Sequence, residues 1–190
     1  MKNETKFSQS VFRVALATLL LLLVPLVAMQ FTDEVNWSPV DFIVMGALIF
    51  GIGFLYVLAV RFVTNMVYRI AIGFALGSTF FMIWANLAVG LIGSGPHWGN
   101  LMYMGVVAVG IIGTIFSRFT AGGMARAMYG MALALVAVAA VALLTGMHQY
   151  PGSSVTEILG VNGFFAMLFA IAGLLFRYVS LEQQTEKSEG

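Results

Sequence analysis

The chain has 190 residues, of which 61% are hydrophobic and 9% are charged, and its mean hydropathy is +0.97. A soluble globule of this length needs more polar surface, so the composition indicates an integral membrane protein with the lipid bilayer as its main partner. A formal net charge of +1 gives no basic field for nucleic acid, and the absence of cysteine excludes disulfides and thiolate chemistry.

Six apolar segments follow one another along the chain, each long enough to cross a hydrocarbon slab of roughly 30 Å at about 1.5 Å per residue. They predict helices at 11–29, 41–60, 70–92, 101–117, 127–146 and 158–176, and a disordered polar tail at 177–190. The first segment follows a polar start with Lys2 and Lys6, as a signal peptide would. The pattern of small residues needed for cleavage is poor around Ala28, so we interpret the segment as a retained spanning helix.

Two short polar patterns predict where helices begin. Ser38 precedes Asp41 by three residues, and Ser154 precedes Glu157 by the same distance. A serine followed three residues later by an acidic side chain is typical of a capping box. Capping therefore explains Asp41 and Glu157 better than acid–base catalysis does.

Basic residues are distributed unevenly over the connections between the predicted helices. With six helices the connections alternate between two sides, and all nine basic residues fall on the side of the two termini. They are Lys2, Lys6, Arg13, Arg61, Arg69, Arg118, Arg126, Arg177 and Lys187. The positive-inside rule therefore predicts that both termini are cytoplasmic.

A repeated pattern relates the two inner connections. The spacing Arg-Phe, six residues, Arg occurs at 61–69 and again 57 positions later at 118–126. We interpret it as a sign of three tandem helical hairpins in one membrane domain, 1–190, an all-α bundle of six transmembrane helices. Evenly spaced helices with positive inner connections create similar matches by themselves, which is the alternative. Small residues predict that the hairpin 70–118 lies at the centre, with these glycines facing other helices: Gly73, Gly77, Gly90, Gly110 and Gly113.

Candidates for chemistry are few. The middle of each predicted helix contains no ionisable side chain, whereas ion-coupled transporters need one near the midplane. Imidazole and carboxylate groups on the outer side form a candidate zinc or copper site, although their spacing is not that of a metal motif. These candidates are His97, His148, Asp33, Glu34 and Glu157. We predict no catalytic residue, no cofactor and no resident metal.

Asn86 and Asn162 are polar residues predicted to lie about one turn below the outer surface. An amide there favours a hydrogen-bond partner on a neighbouring helix over lipid, which predicts a structural role. Two function classes follow. One is a non-enzymatic membrane component that packs with itself or with a partner membrane protein. The other is a small-molecule or ion pathway, or a lipid or quinone pocket, which requires both amides to face one cavity together with Ser78 and Thr79.

Four short motifs lie between residues 31 and 127. They are FTDEVNW at 31–37 followed by Asp41-Phe42, WANLAVGLIG at 84–93, NLMY at 100–103 and GMARA at 123–127. In these motifs the chain resembles a family of uncharacterised bacterial multi-pass inner-membrane proteins. The resemblance implies the bacterial inner (plasma) membrane and a multi-pass topology, and it implies no activity. Val57 and the turn at 95–98 depart from the family pattern, which has carboxylates there, so a role based on those carboxylates does not transfer.

Overall fold

The structure is a computed structural model that describes residues 2–93, 95 and 97–189, without the side chains of 2–5 and 189. The described residues form six α-helices and two short 3₁₀ turns and contain no strand, which confirms the predicted all-α fold. Each of the six helices is long and apolar enough to cross a membrane. The chain is a multi-pass membrane protein.

Four of the six helices are longer than the sequence predicts, and the chain divides into two compact units. The helices are α1 Lys2–Ala28, α2 Pro39–Val60, α3 Met66–Ala88, α4 Met102–Ser117, α5 Ala121–Leu144 and α6 Val155–Glu189. The longer ones are α1, α2, α5 and α6. The first unit, Met1–Thr64, contains α1 and α2, and the second, Asn65–Gly190, contains α3 to α6.

Side chains cap the starts of four helices, including α6, where Ser154 Oγ accepts the Glu157 N–H. The Ser38 hydroxyl accepts the Asp41 N–H, and the Asp41 carboxylate accepts the Ser38 N–H at 2.7 Å, which confirms the capping box predicted for α2. Asn65 caps α3 and Thr120 caps α5 through their side-chain oxygens. Because Thr120 satisfies a free N–H of the first turn, α5 begins at Ala121, six residues before the predicted start.

The first unit is a pair of helices in contact through glycines. A Cβ on Gly46 would lie 3.2 Å from Leu22 Cδ1, and one on Gly53 would lie 2.6 Å from Val14 Cγ1. These glycines therefore let α2 approach α1 closely. The contact is narrow, because none of the 22 described residues of α2 is buried.

The second unit is organised around α5. This helix packs along α6 on one side and α4 on the other, α3 packs against α6, and α3 and α4 share little contact. Eleven residues of α5 are buried, most of them alanine, methionine or glycine. The prediction that the hairpin 70–118 lies at the centre is therefore wrong. Small and flexible side chains along α5 let two neighbours approach at once.

The glycines expected to face other helices behave differently from one another. A Cβ on Gly110 would lie 2.5 Å from Met131 Sδ, and one on Gly113 would lie 2.8 Å from Ala127 Cβ. Both therefore face another helix as predicted, and that helix is α5. Gly77 is exposed, and no described atom lies within 4 Å of the Cβ position. Gly90 lies beyond the end of α3 with φ of +72°, so it serves the connection and not helix packing.

The predicted disordered tail at 177–190 is helical as far as Glu189, and Gly190 lies outside the described residues. Val179 is fully buried, and the Asn65 amide donates a hydrogen bond of 3.0 Å to the Glu182 carboxylate. Tertiary contact and a run of good helix formers from Leu181 onward therefore continue α6 beyond its apolar segment.

We expect Gly113→Ala to lower the free energy of unfolding in detergent by about 1–3 kcal/mol, because the new methyl group overlaps the Ala127 side chain and backbone. Gly77→Ala is the matched control: it adds the same methyl group into open space, and its better helix propensity should change stability by less than about 1 kcal/mol, in the stabilising direction. Thermal unfolding of the two variants in one mild detergent measures the difference. Equal midpoints would contradict close packing of α4 on α5.

Candidate functional site

The connection between α3 and α4 is held by the side chain of one asparagine, Asn100. Its Oδ1 accepts the N–H groups of Leu91 at 3.0 Å and Ile92 at 2.9 Å. Its Nδ2 donates to the carbonyls of Ile92 at 3.2 Å and Gly95 at 3.3 Å. The amide thus satisfies backbone groups that have no partner in a helix, which allows an irregular segment to close at the end of the spans.

Glycine is required where this connection leaves α3. Gly90 has φ of +72°, and a Cβ there would lie 2.6 Å from the Gly95 carbonyl oxygen and 2.8 Å from Asn100 Nδ2. Any larger residue would be strained by its backbone conformation and would also push the Asn100 amide away. The conformation of the connection therefore depends on the pair Gly90 and Asn100.

The same connection packs against the connection between α5 and α6. A Cβ on Gly99 would lie 2.9 Å from Met147 Sδ, and the His97 and Tyr150 rings are 4.5 Å apart between centroids. Ile92 and Met147 are fully buried. We call this part of the second unit, residues 86–93, 95, 97–103 and 145–162, the loop end. Its two connections pack against each other through these side chains.

The histidines of the predicted outer-face metal site have structural surroundings. His97 Nδ1 accepts the Gly99 N–H at 3.0 Å, so this nitrogen is engaged within its own turn. His148 Nδ1 is buried and has no hydrogen-bond partner in the described part of the chain. Glu157 is exposed, and its N–H donates to Ser154 Oγ at 3.1 Å, as a helix cap does.

The described residues bring no three His, Asp or Glu side chains together in a way that could hold a metal ion. Asp33 and Glu34 belong to the connection between α1 and α2 in the first unit, whereas His97, His148 and Glu157 belong to the second. Within the loop end, His97 contacts the Trp98 and Tyr150 rings. The His97 side chain is therefore engaged by its own turn and by two aromatic rings.

The two polar residues predicted inside the membrane both lie at the loop end. Asn86 Nδ2 donates to the Asn100 carbonyl at 3.2 Å, and Asn86 Oδ1 is buried with no partner among the described atoms. Asn162 is buried, its Nδ2 donates to the Ile158 carbonyl at 2.9 Å, and its Oδ1 accepts the Tyr103 hydroxyl at 3.3 Å. Asn162 thus links α6 to α4, as an intramembrane amide is expected to do.

The polar residues of the predicted pathway do not converge. Ser78 and Thr79 donate to the carbonyls four residues earlier in their own helix, at 2.8 Å and 2.9 Å. Asn86 bonds to the α3–α4 connection, and Asn162 bonds to α4 and to its own helix. The four side chains have different neighbours, which was the condition under which the pathway interpretation fails. The arrangement offers neutral amides and hydroxyls that hold helices and connections in place.

Asn100 and Tyr103 are the residues that the sequence analysis missed. Both lie in the NLMY motif, and four glycines between residues 90 and 99 precede them. A glycine-rich connection followed by asparagine indicates a backbone that needs a side-chain partner, so the signal was present. The partner of Tyr103, Asn162, is 59 residues away, and no spacing rule connects the two.

No protein-family model, no curated protein and no solved structure matches this chain.

We expect Asn100→Ala to destabilise the second unit by about 2 kcal/mol or more, since it removes four hydrogen bonds and leaves buried backbone groups without partners. The Leu91 and Ile92 amides should then exchange hydrogen for deuterium much faster. Asn86→Ala is the control, because it removes one bond and should cost about 1 kcal/mol. If exchange in residues 89–101 stays slow in Asn100→Ala, Asn100 does not hold the connection.

Proposed function

We propose that this chain is a non-enzymatic membrane component that associates, with itself or with a partner membrane protein, through the outward face of α2. The observation that carries the proposal is the lack of burial in α2. None of its 22 described residues is buried, whereas α5, of similar length, has eleven buried residues. Helices in lipid gain stability mainly by packing against each other, and within the first unit α2 packs only along one narrow face, against α1.

The outward face of α2 carries small residues that suit a close helix contact. Gly46 and Gly53 face α1, whereas no described atom lies within 4 Å of a Cβ on Gly51. Five residues at about 100° each place Gly51 roughly 140° around the helix from Gly46. Ala47 is four residues before Gly51 and is exposed, so the two form a small-xxx-small pair on that face.

The surroundings of the polar side chains support a role without catalysis. An active site needs a nucleophile or base, a group that orients it and a place for the reacting atom. At the loop end, Asn100, Tyr103 and Asn162 direct their polar atoms to backbone or to one another. These contacts support the assignment of the amides to structure.

We also propose that both termini face the cytoplasm of a bacterium and that the spans lie in its inner membrane. The positions of the nine basic residues in the sequence support this orientation by the positive-inside rule. The four-motif resemblance supports the location.

We expect the wild-type chain, labelled with one fluorophore per copy in lipid vesicles, to form complexes, and Gly51→Leu to reduce the associated fraction several-fold. A bulky side chain there keeps the small-xxx-small surface from close contact. Gly163→Leu is the matched control, because Gly163 is also a helical glycine with open space at its Cβ position among the described atoms. Single-molecule photobleaching counts the copies in each complex.

If the wild type is monomeric in vesicles, association with a partner protein is the remaining form of the proposal. Crosslinking at Ala47 in native membranes tests this form. Absence of both self-association and crosslinks, or an equal effect of Gly51→Leu and Gly163→Leu, would contradict the proposed role of α2.

Reporter fusions test the orientation. A reporter that is active in the cytoplasm should be active when fused after residue 190 and inactive when fused after Gln149, because a single span, α6, separates these positions. A periplasmic reporter should give the opposite result. Equal activity at both positions would contradict the six-span topology, and reversed activities would contradict the orientation.

A further inference from the structure

The second unit has an end at which α3 and α5 begin and α4 ends. The Tyr68 hydroxyl donates to the Phe119 carbonyl, and the Tyr68 and Phe176 rings are 5.2 Å apart between centroids. One arginine directly follows Tyr68, and a second directly follows Phe176. A third directly precedes Phe119, and a fourth lies in the second turn of α5. We call this the arginine end, after Arg69, Arg118, Arg126 and Arg177.

The backbone at Arg118 and Phe119 has an unusual conformation. Two consecutive non-glycine residues have positive φ, 48° and 58°. Bulky side chains avoid this left-handed region, so the surrounding contacts must hold the backbone there. Tyr68 and Ser117 supply them: the Tyr68 hydroxyl bonds to the Phe119 carbonyl, and Ser117 Oγ accepts the Phe119 N–H at 3.1 Å.

The side chains of Arg118 and Phe119 point outward at one end of the fourth span. The fourth candidate span ends at Ser117, so Arg118 is the first residue beyond it. Arg118 is exposed, Phe119 is 63% exposed and Phe116 is 83% exposed. At the end of a span an arginine lies with its aliphatic stem along apolar surface and extends its guanidinium toward the headgroups, and an exposed phenyl ring is apolar surface that favours acyl chains over water.

No described side chain neutralises the charge of Arg118. None of the four arginines of the arginine end forms an ion pair within the described residues. The nearby carboxylate of Glu182 accepts a hydrogen bond from Asn65, and it lies five residues beyond Arg177 along α6, roughly 7.5 Å farther from the apolar segment. At the level of Arg118, positive charge is therefore in excess.

We propose that Arg118, with Phe119 and Phe116, forms a binding site for an anionic phospholipid. The planar guanidinium binds the headgroup phosphate through two parallel N–H bonds, and the two phenyl rings lie along the acyl chains beside it. In this arrangement the strained backbone fixes Arg118 and the Phe119 ring on the lipid-facing surface. Basic side chains on a regular helix face attract anionic lipid without such positioning.

The experiment measures lipid retained by the full chain. The protein is placed in nanodiscs with equal parts of the anionic lipid POPG and the zwitterionic lipid POPC, extracted into mild detergent and analysed by native mass spectrometry. The wild type should retain POPG in preference to POPC. Arg118→Gln should lower POPG retention tenfold or more, the effect of losing a hydrogen bond to a charged group, which is worth about 1.5–3 kcal/mol. Arg126→Gln, the matched control on a regular helix, should lower it no more than about fivefold, the effect of one arginine near a lipid surface.

Phe119→Gly separates lipid binding from folding. Glycine adopts positive φ without strain, so this variant should unfold at the same or a higher temperature than the wild type. It keeps Arg118 but removes the ring, and POPG retention should still fall. Unchanged POPG retention in Phe119→Gly would overturn the proposal.

Three further outcomes would also overturn it. Equal losses in Arg118→Gln and Arg126→Gln would indicate general electrostatic attraction without a site. Both headgroups contain a phosphate, so no preference for POPG over POPC in the wild type would show that the net negative charge of the headgroup is not selected. Displacement of POPG by millimolar inorganic phosphate would assign the arginine to a soluble anion.

Discussion

Hydrocarbon around a membrane protein removes most of the hydrophobic force between its helices, so close backbone contact decides which helices associate. In the second unit this constraint selects α5, whose alanine, methionine and glycine side chains admit α4 on one side and α6 on the other. Gly110 and Gly113 bring α4 close to Met131 and Ala127 of α5, and Gly173 brings α6 close to Tyr129. The packing on α5 also sets the position of α3, because α3 packs against α6. The positions of both connections at the loop end follow from these helix positions.

Local signals in the sequence predicted local structure well. Apolar length identified six spans, and serine followed by an acidic residue identified the start of α2. Helix order was predicted less well, because glycine spacing shows that a face can approach another helix without specifying which one. Gly110 and Gly77 have similar sequence surroundings, yet the first contacts α5 and the second is exposed. The helical tail after Arg177 contains good helix formers from Leu181 onward, a local signal that was missed, and it is also stabilised by a contact with the distant residue Asn65, which no local signal predicts.

The candidate site was predictable in part, for the same reason. Asn162 was expected to have a partner on another helix and has one, Tyr103. Asn100 was not singled out, although it satisfies more backbone groups than any other amide described here. A backbone that turns between two spans has to find hydrogen bonds without a regular helix, and a short polar side chain inside the turn supplies them. Such residues are recognised by the glycines around them.

The length of α6 has a mechanical consequence. Its 35 residues extend roughly 52 Å, well beyond the roughly 30 Å of hydrocarbon that a span has to cross. The described backbone is helical without interruption from Val155 to Glu189, so it contains no joint where bending could be absorbed. A force applied to the exposed turns near Glu186 would therefore also displace the part of α6 that contains Phe176 and Phe169. Both side chains are fully buried among the other helices. A partner bound to the turns of α6 near Glu186 would therefore change the packing of the helices within the membrane.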